Sequence, residues 1–169
     1  MILRKLIATL FFVFAFISCT SANSVPALLP NGSSMPKFEL KDHNGATVSS
    51  DSLKGKIVAF EWLNPDCPFT RRHYRQESFA KLAKEFSKEV VFISVNSTGY
   101  MDAEPSKNWA LGNKITWPIL VDQEGVVGKQ FGARTTPHVF VFDASSKLVY
   151  QGAIDSDEYG TEKESQNYL

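Results

Sequence analysis

Cysteine is scarce in this sequence, since only Cys19 and Cys67 occur among its 169 residues. Two cysteines cannot build the framework of several disulfides that stabilises many small secreted scaffolds. An excess of charge of one sign is also lacking, because 18 Lys and Arg residues balance 18 Asp and Glu residues. A basic excess would favour a nucleic-acid partner, and none is predicted here. Internal repeats and biased composition are absent too, which excludes the repetitive, collagen-like and disordered classes.

The one long apolar run lies at the N-terminus, from Leu6 to Ile17. Arg4 and Lys5 precede it, and the small residues of Ser18–Ala22 follow it. This order is typical of a secretory signal, and the run is shorter than the about 20 apolar residues that a membrane-spanning helix needs. We therefore predict a signal peptide over residues 1–22 and export to the periplasm or cell envelope.

Two cleavage modes are open at the end of this segment. Thr20-x-Ala22 suits an ordinary signal peptidase, which would leave Asn23 as the first residue. The stretch from Phe16 to Cys19 instead resembles a lipoprotein box, which would end the signal at residue 18. Cys19 would then be lipidated and attach the protein to a membrane. Either way, Cys67 is expected to be the one free thiol of the mature protein.

The remaining chain divides by composition into three parts. Residues 23–36 contain several Pro, Gly and Ser residues and are predicted to be a linker. Residues 37–155 have the length and patterning of one domain. Residues 156–169 form a charged and polar tail, in which a last helix could begin but not be completed before the chain stops.

Strand and helix patterns alternate along residues 37–155. The predicted strands cover residues 37–40, 46–49, 57–63, 90–95, 117–121, 138–142 and 148–153, and the predicted helices cover residues 69–86, 104–114 and 125–131. Asn44-Gly45 is a strong signal for a hairpin between the first two strands. This alternation predicts an α/β fold, a three-layer sandwich with a central mixed β-sheet and helices on both faces.

Cys67 lies at the predicted junction between a strand and a helix. Pro68 suits the first helical position, where its missing N–H has no cost. The free N–H groups and the dipole at a helix start favour an anion, and they can lower a thiol pKa from about 8.5. Arg71 and Arg72 would add positive potential, whereas Asp66 would oppose it, and the sequence leaves open which effect prevails. The alternative is an inert buried cysteine.

Two segments carry a resemblance to a known family. The stretch EWLNPDCPFT, Glu61–Thr70, resembles the active-site segment of the thioredoxin superfamily, most closely its peroxiredoxin-like redoxin branch of the AhpC/TSA type. The stretch RTTPH, Arg134–His138, resembles the loop that ends in a cis-proline facing the active cysteine. The resemblance implies a thioredoxin-like fold, a cis Pro137, and a Thr136 backbone that is offered to an extended substrate.

The same resemblance implies roles for three further side chains. Thr70 occupies the position of the second cysteine of dithiol enzymes and could donate a hydrogen bond to the Cys67 thiolate, or else bond its own helix. Glu61 matches a buried proton-accepting acid, unless it reaches water instead. Arg134 matches the Arg with which peroxiredoxins hold the thiolate and polarise peroxide, although it could also bind an anionic substrate or form a surface salt bridge.

The expected activity is a thiol-dependent reduction of a peroxide or a disulfide by Cys67. Because Thr70 replaces a second cysteine, recycling would need an external thiol reductant or a thioredoxin-like protein. Typical peroxiredoxins carry Thr or Ser three residues before the cysteine and Pro earlier still. Asn64 and Phe60 occupy those places here, which counts against efficient peroxide reduction.

A non-enzymatic module that presents Cys67 to copper or to a partner protein is the alternative function. His73 and His138 are the candidate companions of the thiol in a metal site. Their spacing matches no recognisable ligand pattern, so neither a metal nor another cofactor is predicted.

Overall fold

The computed structural model describes residues 27–157, 159, 161 and 165–169. The predicted signal peptide and Cys19 lie outside the described residues. Within the part that is described, no helix is long and apolar enough to cross a membrane.

The chain forms a central sheet, a separate hairpin and flanking helices. The strands are β1 (Glu39–Lys41), β2 (Thr47–Ser49), β3 (Ile57–Leu63), β4 (Val90–Asn96), β5 (Ile119–Val121), β6 (His138–Phe142) and β7 (Leu148–Gly152). The helices are α1 (Pro68–Arg75), α2 (Ser78–Glu85), α3 (Ala103–Gly112) and α4 (Val126–Phe131), and a 3₁₀ turn covers Ser50–Leu53. β1 and β2 pair as the predicted hairpin.

The central sheet has the strand order β5-β4-β3-β6-β7. β3 is parallel to β4 and antiparallel to β6, so the sheet is mixed as predicted. Side chains alternate along β3: Phe60 packs on one face against Phe131 of α4, with ring centroids 5.3 Å apart. Ala59 belongs to the opposite face, where Phe79 of α2 is buried. Helices therefore cover both faces, which confirms the three-layer, thioredoxin-like α/β sandwich.

The single helix predicted over residues 69–86 is wrong. The chain forms α1 and α2 instead, separated at Glu77, whose φ of 57° lies in the left-handed region. Neither Gly nor Pro marks this break in the sequence. The break lets the two helices satisfy different contacts: Tyr74 of α1 reaches Glu61, while Phe79 of α2 packs into the core.

The folded unit begins before the expected boundary at Lys37. The N–H of Gly32 donates to the carbonyl of Leu148 at 2.8 Å, and that of Met35 donates to the carbonyl of Ser146 at 2.9 Å. The Met35 side chain is buried in the core. The last residues of the predicted linker thus pack against the β6–β7 hairpin.

The last helix that the sequence suggested falls partly on residues outside the described ones, and the described part of the C-terminal tail contains no helix. It returns as an extended segment beside the end of β7. The N–H of Tyr168 donates to the carbonyl of Ile154, and that of Ser156 donates to the carbonyl of Gln166, both at 3.0 Å. Leu169 packs against the core on the α2 face.

Candidate active site

Cys67 lies where the chain leaves β3 and enters α1. A tight turn follows β3: the N–H of Cys67 donates to the carbonyl of Asn64 at 3.0 Å, and the N–H of Asp66 donates to the Asn64 side chain at 2.8 Å. Cys67 is the N-cap residue of α1, with extended φ and ψ, and Pro68 takes the first helical position. The sulfur is therefore held beside the free N–H groups of the first turn.

The loop before β6 faces this sulfur. β6 runs antiparallel to β3, with His138 opposite Trp62, so the residues preceding His138 come to the end of β3. The Thr136–Pro137 peptide is cis, as the resemblance implied. The Cys67 thiol donates to the carbonyl of Thr136 at a sulfur–oxygen distance of 3.0 Å. Two segments separated by 69 positions in the sequence are thus brought into contact.

Opposing effects act on the ionisation of Cys67. Burial raises the pKa of its thiol, but the donors that face the sulfur lower it further than burial raises it: the Thr136 side chain, the N–H groups of Thr70 and Phe69, and the Thr70 hydroxyl. The pKa is accordingly below its ordinary 9.0. The bond to the Thr136 carbonyl acts in the opposite sense, because only the protonated sulfur can donate it. When the thiol ionises, it loses its hydrogen bond to the Thr136 carbonyl. The resulting thiolate is then stabilised by the donors that face the sulfur.

Thr70 is fully buried one turn after Cys67. Its hydroxyl forms no hydrogen bond of standard geometry with any residue that the structure describes, although it is near enough to the Cys67 sulfur to lower the pKa of the thiol. The alternative in which this hydroxyl bonds its own helix is therefore not observed. Leaving a buried hydroxyl unpaired costs about 1–3 kcal/mol, and a thiolate beside it would remove that cost.

The charged side chains near the sulfur are paired with one another. Arg71 forms an ion pair with Asp66, with a nitrogen–oxygen distance of 2.9 Å. Arg72 points elsewhere and forms buried ion pairs with Asp155 at 3.2 Å and Asp157 at 3.4 Å. The charges whose opposition the sequence left open are thus paired with other groups. The pKa of the thiol is set by burial, which raises it, and by the nearby donors, which together lower it further.

Glu61 is buried completely beneath the site, so the alternative in which it reaches water is excluded. Its Oε2 accepts hydrogen bonds from the Tyr74 hydroxyl at 2.7 Å and the Ser94 hydroxyl at 3.1 Å, and Trp117 donates to Ser94 at 2.8 Å. Its Oε1 has no partner among the described residues. Burial raises the pKa of Glu61 from 4.5 to about 7, although the Tyr74 and Ser94 bonds oppose this rise. The carboxyl can therefore take up or release a proton near neutral pH.

The raised pKa of Glu61 predicts how stability varies with pH. The unfolded chain releases this proton near pH 4.5 and the folded chain only near pH 7, so the folded state binds more protons between them. The stabilisation is complete below pH 4.5 and is lost as the pH rises to 7, a fall of about 3 kcal/mol in the free energy of unfolding. In a Glu61→Gln variant this fall should disappear, as measured by urea denaturation from pH 4 to 8. An unchanged slope would contradict the assignment.

Arg134 lies on the cis-proline loop as expected, but its side chain is exposed. It lines a shallow groove of about 280 Å³ together with Asn64, Ser97 and Thr136. The hydrogen bond of Cys67 goes to Thr136 rather than to Arg134. The structure thus places Arg134 in the same groove as Thr136, the residue that Cys67 contacts.

The two histidines considered as metal ligands lie in different surroundings. His73 is buried with its Nε2 2.7 Å from the guanidinium of Arg72, and His138 accepts a long bond of 3.4 Å from the N–H of Arg134. Among the described residues, no group of three or more His, Cys, Asp or Glu side chains could hold a metal ion.

Several contributors to the site carry no recognisable sequence signal. Tyr74, Ser94 and Trp117 order the Glu61 carboxyl, yet Ser94 and Trp117 come from other strands and loops. Asp155 and Asp157 bind Arg72 across more than 80 positions of sequence. Only the three-dimensional neighbourhood identifies such residues, because their spacing follows the topology of the sheet rather than a local motif.

Comparison with known proteins finds peroxiredoxins, thiol-disulfide oxidoreductases and thioredoxins among the proteins similar to this chain. The model of the AhpC/TSA family matches residues 31–151. The chain is 33% identical over 150 residues to the chloroplastic peroxiredoxin Q of Sedum lineare, covering 81% of this chain and 77% of that protein. It is 23% identical over 122 residues to the thiol-disulfide oxidoreductase ResA of Bacillus thuringiensis, covering 71% and 68%. The exposed lipoprotein thioredoxin of Streptococcus pneumoniae superposes with a TM-score of 0.59 at 28% identity, covering 69% of this chain and 88% of that chain.

Proposed function

Because the chain belongs to the AhpC/TSA family, we propose that it is a thiol-dependent oxidoreductase that uses Cys67 as its single nucleophile. One observation carries this proposal: the Cys67 sulfur lies at the start of α1 among donors that lower its pKa. Cys67 is the one free cysteine among the residues that the structure describes. Three positions later, where dithiol enzymes have their second cysteine, this chain has Thr70. Cys67 would therefore be recycled by an external thiol, either a small reductant or a thioredoxin-like protein.

A peroxide is the first candidate substrate. The Cys67 thiolate attacks one peroxide oxygen, an S–O bond forms as the O–O bond breaks, and the leaving oxygen takes up a proton. Cys67 is oxidised to a sulfenic acid, and the peroxide is reduced to water or an alcohol. A first external thiol then displaces water to give a mixed disulfide, and a second thiol releases Cys67 as the reduced thiol. The similarity to peroxiredoxin Q supports this reaction.

Each predicted site residue has a place in this scheme. Thr70 donates its unpaired hydroxyl to the thiolate, and Thr136 with Pro137 forms the wall against which the substrate lies. Glu61 exchanges a proton with the site, which a pKa of about 7 suits. Arg134 attracts an anionic or polar substrate from its exposed position on the rim of the groove.

A protein disulfide is the second candidate substrate, and a specific observation favours it. The main-chain carbonyl of Thr136 lies 3.0 Å from the sulfur at the edge of an exposed groove, where an extended peptide could pair with it. The Cys67 thiolate would attack one sulfur of the substrate and expel the other as a thiolate, leaving a mixed disulfide. An external thiol would then release Cys67.

Export belongs to the same proposal. The segment over residues 1–22 has the layout of a secretory signal, and an exposed lipoprotein thioredoxin is among the similar structures. The protein would then act in the periplasm or cell envelope. It would be attached to a membrane if Cys19 is lipidated.

One pair of reactions tests the function and separates the substrates. Reduced protein is treated with hydrogen peroxide and a sulfenic-acid probe, or with an oxidised model protein, and the Cys67 adducts are identified by mass spectrometry. Rapid probe labelling supports the peroxidase, whereas a trapped mixed disulfide without peroxide reactivity supports the disulfide reaction. A thiol that titrates at or above 8.5 and reacts with neither substrate would contradict both.

A further inference from the structure

We infer that Arg71 is a positioning residue for Cys67, which holds the loop before the thiol and neutralises the adjoining carboxylate of Asp66. This inference rests on the proposed role of Cys67 as a nucleophile. It concerns how that nucleophile is kept in place and kept reactive, and it assigns this task to a residue whose side chain touches neither the sulfur nor the groove.

Arg71 is bonded to the three residues that end with Cys67. Its N–H donates to the carbonyl of Cys67 at 3.0 Å, as the helix requires. Its side chain turns back along the chain, so that Nε donates to the carbonyl of Pro65 at 2.6 Å and Nη2 donates to Oδ1 of Asp66 at 2.9 Å. A guanidinium offers these donors in a rigid fork. The first turn of α1 is thereby tied to the turn that presents the thiol.

The carboxylate that Arg71 binds would otherwise oppose the reaction. Asp66 immediately precedes Cys67, and a negative charge beside a thiol favours its protonated form. Its second oxygen, Oδ2, accepts a hydrogen bond from the hydroxyl of Tyr100 at 2.9 Å. Both oxygens of Asp66 are thus occupied by donors from other residues. The ion pair is half-exposed, with 51% of the Arg71 side chain and 49% of the Asp66 side chain accessible.

The other ionisable groups around Cys67 do not perform this task. Arg72, from the same helix, is bound to Asp155 and Asp157. Arg134 and His138 lie on the facing loop and strand, and Glu61 is bonded to Tyr74 and Ser94 beneath the sheet surface. Tyr100 is a neutral donor to Asp66. Among the described residues, Arg71 is the cation that reaches the carboxylate next to the thiol.

A double-mutant cycle on Arg71 and Asp66 tests the inference. Thiol reactivity is measured with iodoacetamide as a function of pH, in the full chain and in the Arg71→Gln, Asp66→Asn and doubly substituted variants. Without Arg71, the carboxylate of Asp66 would be uncompensated several ångströms from the sulfur, at a half-exposed site, and would favour the protonated thiol. At pH values below the pKa of Cys67, alkylation should therefore be about three-fold slower. We expect this slowing in Arg71→Gln, whereas the double variant, which carries neither charge, should return towards the rate of the unsubstituted protein.

An Arg71→Lys variant distinguishes the effect of the positive charge from the effect of the rigid guanidinium donors. Lysine retains the positive charge but cannot bind Pro65 and Asp66 with two fixed donors, so its alkylation rate should fall between those of the full chain and Arg71→Gln. An unchanged profile in Arg71→Gln, or equal slowing with and without Asp66, would overturn the inference. Alkylation needs no turnover, so the cycle gives its answer even if Cys67 reduces neither peroxide nor disulfide, and that failure would count against the proposed function alone.

Discussion

Substitution of Cys67 by serine is expected to lower turnover with peroxide or disulfide by on the order of 10³-fold or more, the loss that follows removal of a covalent nucleophile. A serine hydroxyl stays protonated at neutral pH and has no two-electron redox chemistry. The thiol of Cys67 is the one free cysteine in the described part of the chain, so no neighbouring sulfur there could take over. Consumption of hydrogen peroxide or of a model disulfide, coupled to an excess of external thiol, measures the effect.

The serine variant is its own folding control. Serine has nearly the shape of cysteine, and its hydroxyl can donate to the carbonyl of Thr136 as the thiol does at 3.0 Å. The thermal midpoint of unfolding should therefore remain close to that of the unsubstituted protein. Turnover within ten-fold of the original rate, in a protein that melts normally, would place the chemistry at another residue.

The largest effect on stability is expected from removal of the buried cation Arg72. Its guanidinium binds Asp155 at 3.2 Å and Asp157 at 3.4 Å, and the three side chains are only 11%, 13% and 6% exposed. An Arg72→Met variant removes the guanidinium from these two buried carboxylates. Breaking a buried ion pair in this way typically lowers the free energy of unfolding by about 3–5 kcal/mol, which urea denaturation at pH 7 would measure.

Two further variants make this expectation specific. Arg71→Met removes the neighbouring arginine, whose ion pair is half-exposed, and should cost no more than about 1 kcal/mol. A triple variant that combines Arg72→Met with Asp155→Asn and Asp157→Asn leaves no charge buried, so it should recover much of the loss. Equal stabilities of Arg72→Met and Arg71→Met would show that the buried cluster does not hold α1 to the C-terminal segment.

The local part of the site was predictable because its signals are local. The apolar run of β3 ends at Leu63, and Pro68 after Cys67 marks the first residue of a helix, so the position of the thiol follows from neighbouring residues. The cis form of Pro137 was predicted from a resemblance rather than from physical reasoning, since the cis isomer is the minority state even before proline.

The wrong prediction of one continuous helix has a tertiary cause. A continuous helical pattern runs through residues 69–86, and no local residue reports that Tyr74 must reach a buried carboxyl while Phe79 packs into the core. The chain breaks at Glu77 to satisfy both contacts. Tertiary contacts thus outweigh helix propensity, which differs by less than about 1 kcal/mol among ordinary residues.

The sequence by itself determined the α/β class, the mixed sheet and the placement of Cys67 at the start of a helix, because periodicity and capping act over a few residues. Only the tertiary structure decided the surroundings of that thiol. In the folded chain, Arg71 forms an ion pair with Asp66, and Arg72 forms one with Asp155 instead of facing the thiol. The Cys67 thiol donates a hydrogen bond to the carbonyl of Thr136. The Thr136 and Asp155 contacts join segments 69 and 83 positions apart, and a charge or hydrogen bond is fixed by distance in space, which local patterns do not encode.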